Sequence, residues 1–179
     1  KGSRGAAAAA PPGSHDFGGD IIPGALAAGK RLFVHEFHGF WRDVGTIASY
    51  HETSMDLLGQ NPAFDLFDNT TPVMSNDTTR PPHYIGPDGR VDDCLISNGC
   101  KVLGTARHSI ISPDAVIEER AVVEDSVLLP GAVVKCGAHV SRAILGENAV
   151  VEEGVKLGSV DTTKDTAVVG NDVVIGKGE

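Results

Sequence analysis

The chain has 179 residues, of which 41% are hydrophobic, and this length suits one large domain or two small ones. Aromatic residues make up only 5% whereas glycine occurs 22 times, which favours a narrow, regular β architecture over a wide sandwich core. The formal net charge of −9 argues against a nucleic-acid groove, and no apolar stretch approaches the length of a membrane span, so we expect neither nucleic acid nor membrane as a partner.

The composition changes at residue 15. Residues 1–14 consist mostly of alanine, glycine, proline and serine, which predicts a disordered leader or a linker. Residues 15–80 have the composition of a folded α/β segment. Within this segment we predict a short helix over Ala25–Ala28, closed by Gly29 in the left-handed conformation. A strand is predicted over Arg31–Phe40, where side chains alternate between two faces.

A second helix is predicted to begin after Thr46, which is a favourable N-cap residue, and to end at Gly59. This prediction places Asp43 in a tight turn between the strand and the helix. Residues 81–90 contain two consecutive prolines and are predicted to form an extended connector between two domains.

Residues 91–179 contain an imperfect hexapeptide repeat in which a large aliphatic residue recurs every six positions, and a second aliphatic residue mostly follows four positions later. The recurring large residues are Ile111, Ile117, Val123 and Leu129, then Val134 and Val140, then Leu145, Val151 and Leu157. A six-residue period fits no α-helix, and hairpins would alternate with a period of two. The fold class is therefore mainly β, with a parallel β-helix in the second half.

Two irregularities interrupt the repeat. The spacing is one residue short between Leu129 and Val134 and again between Val140 and Leu145, which predicts altered corners at both places. The open edge of the last coil must be covered, and residues 161–179 are predicted to add further strands as a cap or to pair with a neighbouring subunit.

The cysteines Cys94, Cys100 and Cys136 form no close C-x-x-C pair. An odd number of widely spaced cysteines indicates reduced thiols, and the N-terminus has no secretion signal. A cytoplasmic location is therefore predicted.

Six short motifs support a family resemblance. They are HDFG at 15–18, DIIP at 20–23, GFWRDVGT at 39–46, MDLL at 55–58, PPHYI at 81–85 and LISNGC at 95–100. In this order they resemble the C-terminal portion of bacterial glucose-1-phosphate adenylyltransferase, also called ADP-glucose pyrophosphorylase. The resemblance implies a left-handed parallel β-helix preceded by the C-terminal α/β piece of a nucleotidyltransferase domain, in an enzyme that assembles as a tetramer.

The resemblance also implies a reaction and a metal. The family transfers an adenylyl group from ATP to glucose 1-phosphate in glycogen biosynthesis, and it releases ADP-glucose and pyrophosphate with the help of Mg²⁺. One of the carboxylates that hold Mg²⁺ corresponds here to Asp43. Without the resemblance, the residues alone would favour a helix-capping role for Asp43.

The parts of the family that bind ATP have no counterpart in these residues. No G-G-x-G-x-R loop precedes Asp16, so we identify no catalytic residue and no substrate-binding residue in the chain. We expect a fragment, or the product of a truncated gene, that is inactive by itself.

Two other functions stay open on the sequence. The chain could be a non-catalytic regulatory or assembly subunit that associates with a full-length homologue. It could also be a hexapeptide-repeat acyltransferase that uses His108 or His139 as a base, although no long loop is predicted to leave the repeat and enclose a coenzyme.

Overall fold

A computed structural model describes residues 15–74, 79–161 and 163–178. The chain divides into two compact units, Lys1–Gly39 and Phe40–Glu179, which are described separately below. The predicted leader, residues 1–14, lies outside the described residues.

The first unit contains a π-helical turn, Phe17–Ile21, followed directly by helix α1, Ile22–Ala27. The side chain of Asp16 caps the π-helical turn by accepting a hydrogen bond from the backbone N–H of Gly19. The helix predicted here is confirmed, with an earlier start because Pro23 is tolerated in a first helical turn.

The strand predicted over Arg31–Phe40 is wrong. The backbone there is irregular, and the side chains of Phe33 and Val34 are 83% and 98% exposed. Alternation of side chains describes a strand only when a neighbouring strand supplies hydrogen-bond partners, and none of the described residues pairs with this segment.

The second unit opens with helix α2, Ile47–Met55, as predicted. Thr46 and Ser49 form a capping box: the Thr46 hydroxyl accepts from the Ser49 N–H and the Ser49 hydroxyl accepts from the Thr46 N–H, both at 3.1 Å. The helix ends before the predicted Gly59, with Asp56 at its C-cap.

The rest of the second unit is a parallel β-helix, which confirms the predicted fold class. Its strands are β1 (Tyr84–Ile85), β2 (Arg90–Ile96), β3 (Lys101–Val102), β4 (Thr105–Ile111), β5 (Val116–Ile117), β6 (Val122–Glu124), β7 (Val127–Leu128), β8 (Val133–Val134), β9 (His139–Ser141), β10 (Ala143–Leu145), β11 (Val150–Val151), β12 (Lys156–Gly158), β13 (Ala167–Val169) and β14 (Val174–Ile175).

The strands stack into three faces. The first face is the sheet β1-β3-β5-β8-β11-β14. Strands β2 and β4 pair with each other along their length and both bend around a corner. The first half of β4 continues the second face, which holds β6, β9 and β12, and its second half continues the third face, which holds β7, β10 and β13. All pairs are parallel, because each coil of the chain lies on top of the previous one.

Most coils are 17 residues long, since Val116 pairs with Val133 and Val133 pairs with Val150. The second coil is shorter, with Lys101 paired with Val116, and the last is longer, with Val150 paired with Val174. A 17-residue coil is three hexapeptides less one residue, so one corner in each coil is tighter than the other two.

The tight corner explains the irregular spacing and corrects its position. Leu128 is completely buried and points inward, whereas the predicted inward residue Leu129 is half-buried. The missing residue therefore lies between Val123 and Leu128, at the corner between the second and third faces. The second predicted irregularity, between Val140 and Leu145, lies at this same corner one coil later.

The inward residues form continuous aliphatic ladders along the axis of the β-helix. On the first face, Val102, Ile117, Val134 and Val151 stack in register and are all 0% exposed. Close packing of the coils also requires Gly104, because a Cβ atom there would lie 2.3 Å from the carbonyl oxygen of Ala121 in the next coil.

Strands β13 and β14 confirm the prediction that residues 161–179 add further strands. Unlike the sequence prediction, a loop does leave the repeat: the last coil contains additional residues between β12 and β13, after Gly158. At the other end, β1 lies inside the predicted connector 81–90 and pairs with β3, so strand pairing begins before Val91. The domain limits 15–80 and 91–179 themselves stay a prediction.

Candidate functional site

The predicted metal ligand, Asp43, lies in an exposed turn immediately before α2. Its Oδ1 accepts a hydrogen bond from the backbone N–H of Gly45 at 3.0 Å, which holds the carboxylate in an Asx turn. Thr46 provides the N-cap of the helix, so Asp43 is not required for capping. The turn fixes one carboxylate oxygen by a single backbone contact.

Arg42 connects this turn to the far end of α2. Its Nη2 donates to Asp56 Oδ2 at 3.1 Å, and its guanidinium carbon lies 5.7 Å from the centre of the Phe40 ring. The side chains of Arg42 and Asp56 are 51% and 40% exposed, so the ion pair contributes little to global stability. It does restrict where the Asp43 turn can lie relative to the helix.

Helix α2 covers the outer side of the third face. Tyr50, Ser54 and Leu57 line a groove of about 340 Å³ together with Ile110 and Val127. Val127 points outward from the β-helix, yet it is only 2% exposed. The helix thus hides part of an apolar ladder that would otherwise face solvent.

A column of polar residues lies beside α2, at the tight corner. Asp93, His108, Asp125 and Arg142 occupy the same position in successive coils, and each has a positive φ between 41° and 48°. We call these four residues the corner column. Positive φ is uncommon for residues other than glycine, so this backbone conformation has a small energetic cost. Because all four residues share it, their side chains leave the corner in the same direction.

In the middle of the corner column, His108 contacts the carboxylates on both sides of it. His108 Nδ1 donates to Asp125 Oδ1 at 2.8 Å, and His108 Nε2 lies 3.8 Å from Asp93 Oδ2. The imidazole is therefore placed between two carboxylates that belong to the coil before it and the coil after it.

Two contacts join α2 and the residues after it to the same column. The buried His51 donates from Nε2 to the carbonyl oxygen of Asp125 at 2.6 Å. The backbone N–H of Gly59 donates to Asp93 Oδ1 at 2.8 Å. Sequence reasoning did not find His51, Asp93 or Asp125. A polar residue at each tight corner, 15 or 17 positions from the next, is the signal that could have indicated Asp93 and Asp125, and it does not extend to His51 on the helix.

A cleft of about 290 Å³ lies between α2 and the corner column. Its lining includes His51, Glu52, Met55, Asp56, His108, Asp125, Arg142 and Val160. Within the described part of the chain, Arg142 Nε is buried and has no hydrogen-bond partner. Three carboxylates against one guanidinium and two imidazoles leave the cleft without the positive excess that a polyanion requires.

The two histidines considered as an acyltransferase base lie in different places. His108 is in the corner column, and its Nδ1 is engaged with Asp125. His139 lies on the second face, exposed, at the start of β9. The structure does not bring them together.

The exposed carboxylate of Asp43 has the chemistry of a Mg²⁺ ligand. Mg²⁺ is commonly bound by one or two carboxylates, with water and phosphate oxygens as the remaining ligands, and a carboxylate in an exposed Asx turn matches that requirement. In residues 15–74, 79–161 and 163–178, no group of three or more His, Cys, Asp or Glu side chains is arranged to hold a metal. Asp43 would therefore be one ligand among others supplied from elsewhere.

All three cysteines are free thiols. Burial raises the pKa of both Cys94 and Cys100 above the ordinary value of 9.0. Cys136 is half-buried, and Arg120 Nη2 donates to its Sγ at 3.0 Å. The helices in the described residues are too short or too polar to cross a bilayer.

Comparison with protein-family models gives two matches. Residues 83–175 match the model described as GlmU-like, C-terminal hexapeptide, which covers more than half of the chain. Residues 4–60 match the model described as nucleotidyl transferase, and this range includes the Asp43 turn and α2.

Curated relatives are glucose-1-phosphate adenylyltransferases. The protein of Desulforamulus reducens is 39% identical over 170 residues, which is 92% of this chain and 43% of the relative. The protein of Acetivibrio thermocellus is 37% identical over 145 residues, 81% of this chain and 34% of the relative. That of Bacillus cereus strain Q1 is 36% identical over 159 residues, 89% of this chain and 42% of the relative. The chain thus spans less than half of these relatives.

Proposed function

The chain belongs to the GlmU-like, C-terminal hexapeptide family, and we propose that it supplies the C-terminal part of a glucose-1-phosphate adenylyltransferase, which forms ADP-glucose and pyrophosphate from ATP and glucose 1-phosphate. The observation that carries this proposal is the 39% identity to such an enzyme over 92% of the chain. The match of residues 4–60 to a nucleotidyl transferase model supports it independently.

In this proposal Asp43 helps to hold Mg²⁺. Bound Mg²⁺ neutralises charge on the phosphate oxygens of ATP during adenylyl transfer. The Asx turn to Gly45 keeps one carboxylate oxygen of Asp43 oriented, and the Arg42–Asp56 ion pair keeps the turn beside α2. The chain's own contribution is therefore to position a carboxylate.

The exposed apolar residues of the first unit support a place in a larger α/β domain. Phe33 and Val34 are 83% and 98% exposed, and Phe37 is 64% exposed. Apolar side chains this exposed and this close together are expected to be covered by another part of the protein. We propose that the rest of the nucleotidyltransferase domain covers them.

These 179 residues, purified alone, are expected to release no pyrophosphate above background from ATP, Mg²⁺ and glucose 1-phosphate. Pyrophosphate release at an enzymatic rate would contradict the view that the triphosphate is bound by residues outside this segment.

A chimaeric enzyme tests the proposed function directly. The matching segment of the Desulforamulus reducens enzyme is replaced by this chain, and pyrophosphate release is measured with ATP, Mg²⁺ and glucose 1-phosphate. We expect an active enzyme whose rate falls roughly 100-fold or more with Asp43→Asn, because a metal-binding charge is lost.

Asp65→Asn is the matched control. Asp65 also forms an Asx turn, with Oδ1 accepting from the N–H of Phe67 at 2.8 Å, and asparagine can preserve both turns. A folded chimaera without activity would contradict the proposed function, and equal losses in the two variants would contradict the role of Asp43.

We further propose that the complete protein is a cytoplasmic homo-oligomer, a tetramer, that serves glycogen biosynthesis. An apolar row on the outer side of the first face, Val116, Val133, Val150 and Val174, is compatible with subunit contacts. Sedimentation equilibrium of the chimaera tests the assembly, and a monomer would contradict it.

A further inference from the structure

Two hydrogen bonds join α2 and the residues after it to the two residues that His108 contacts. His51 on the helix bonds the backbone carbonyl of Asp125, and Gly59 after the helix bonds the carboxylate of Asp93. These two residues of the corner column are the ones that His108 contacts, at 2.8 Å and 3.8 Å. We call these five residues the His108 network.

The geometry of the tight corner explains why His108 can join them. The three column residues come from consecutive coils and share the same left-handed backbone conformation, so their side chains leave the β-helix side by side. Asp93 and Asp125 lie two coils apart in the column, and the imidazole is the group between these two like charges.

The network can influence the Asp43 turn through α2. The helix begins at the Thr46 cap, three residues after Asp43, and the Arg42–Asp56 ion pair joins the turn to the other end of the helix. The turn is thus attached to the helix at both ends. Any change in how α2 lies on the corner column is passed to Asp43 by these contacts.

We propose that His108 is a positioning residue that fixes α2 on the β-helix and, through α2, the Asp43 turn. The part that concerns Asp43 rests on the proposed function; the part that concerns α2 does not. Other charged groups near the imidazole are Glu52 and Asp56 on the helix and Arg142 in the column. The hydrogen-bonded partner of the imidazole is Asp125.

Hydrogen exchange of the 179-residue chain tests the α2 part. His108→Gly removes the imidazole without backbone strain, because glycine adopts a positive φ readily. We expect amide exchange in residues 47–59 to rise roughly fivefold to tenfold while the strands of the β-helix keep their protection. His108→Asn, which also tolerates positive φ and keeps a donor, should restore part of the protection.

Asn148→Gly is the matched control. Asn148 also has a positive φ, of 54°, and its side chain also donates to the next coil, at 3.0 Å to Asp172 Oδ1, but it lies at a different corner. Exchange in α2 should not change in this variant. Unchanged α2 exchange in His108→Gly, an equal rise in both variants, or a rise that extends to all strands would overturn the proposal.

Trp41, the single tryptophan, reports on the turn itself. It lies two residues before Asp43, so its fluorescence anisotropy should fall in His108→Gly if the turn loses order; an unchanged anisotropy would overturn the link to the turn.

In the chimaera, His108→Gly should raise the Mg²⁺ concentration for half-maximal rate roughly fivefold, with a much smaller change in the maximal rate. An inactive chimaera would count against the proposed function only, because the exchange experiment needs no activity.

Discussion

Ser126→Ala measures what holds the tight corner together. Ser126 is 0% exposed; its hydroxyl donates to the carbonyl of Glu124 at 2.6 Å and accepts from the N–H of Ala143 in the next coil at 3.1 Å. The same arrangement occurs one coil earlier, where the Ser109 hydroxyl accepts from the Ser126 N–H. The serines thus satisfy backbone groups that a corner with one residue fewer leaves unpaired.

Alanine at position 126 leaves the N–H of Ala143 without its partner, whereas the Glu124 carbonyl still accepts from the N–H of Arg142 at 3.0 Å. An unsatisfied buried group costs about 1–3 kcal/mol, so we expect a loss of about 1–3 kcal/mol from a total of about 5–15 kcal/mol for a domain of this size. The urea midpoint, followed by circular dichroism, should fall clearly. Exchange of the Ala143 amide should rise roughly tenfold, because about 1.4 kcal/mol corresponds to a tenfold change.

Ser141→Ala is the control, because Ser141 is a half-buried serine on the second face. Its substitution should change stability by about 0.5 kcal/mol or less. If the two variants have the same urea midpoint, and Ala143 exchanges at the wild-type rate, then the serine hydroxyls do not support the corner and the reasoning fails.

Three further outcomes are expected. Leu128→Ala should cost about 2–5 kcal/mol in urea unfolding and Leu129→Ala clearly less, since only Leu128 is fully buried; the reverse order would restore the sequence-based alignment of the repeat. Gly104→Ala should prevent folding or lower the melting temperature by several degrees. Gly170→Ala should do neither, because a Cβ atom there would lie at an ordinary contact distance, 3.5 Å, from the side chain of Val173. Burial raises the pKa of Cys100, so above pH 9 the thiol of the unfolded chain ionises before that of the folded chain, and the free energy of unfolding falls as pH rises. Cys100→Ala should flatten this decline in urea midpoints measured from pH 8 to 10. An unchanged slope would contradict a role of the Cys100 thiol in the decline.

The β-helix and the start of α2 could be predicted because their signals are local or periodic. Val102, Ile117 and Val134 occupy equivalent inward positions, and inward positions must be apolar in every coil, so the repeat is visible in the sequence. Thr46 and Ser49 satisfy the first backbone N–H groups of α2 within a single turn, which needs no tertiary information.

Other features depended on the tertiary structure. Leu128 and Leu129 are adjacent and equally apolar, so only the stacked coils decide which of them points inward. The predicted strand over Arg31–Phe40 has the right alternation, but pairing depends on a neighbour and not on the segment itself.

The sequence by itself determined that this protein has a hexapeptide β-helix, an N-terminal piece that resembles a nucleotidyltransferase, and a carboxylate, Asp43, in a turn before a helix. Only the tertiary structure decided that His51, Asp93, His108 and Asp125 meet. Asp93, His108 and Asp125 come together because the register of stacking places residues 15 or 17 positions apart one above the other, and His51 reaches them because α2 packs beside this corner. A period in the sequence determines which side chains point inward, whereas the contacts of those that point outward follow from the stacking of the coils and from the helix that packs against them.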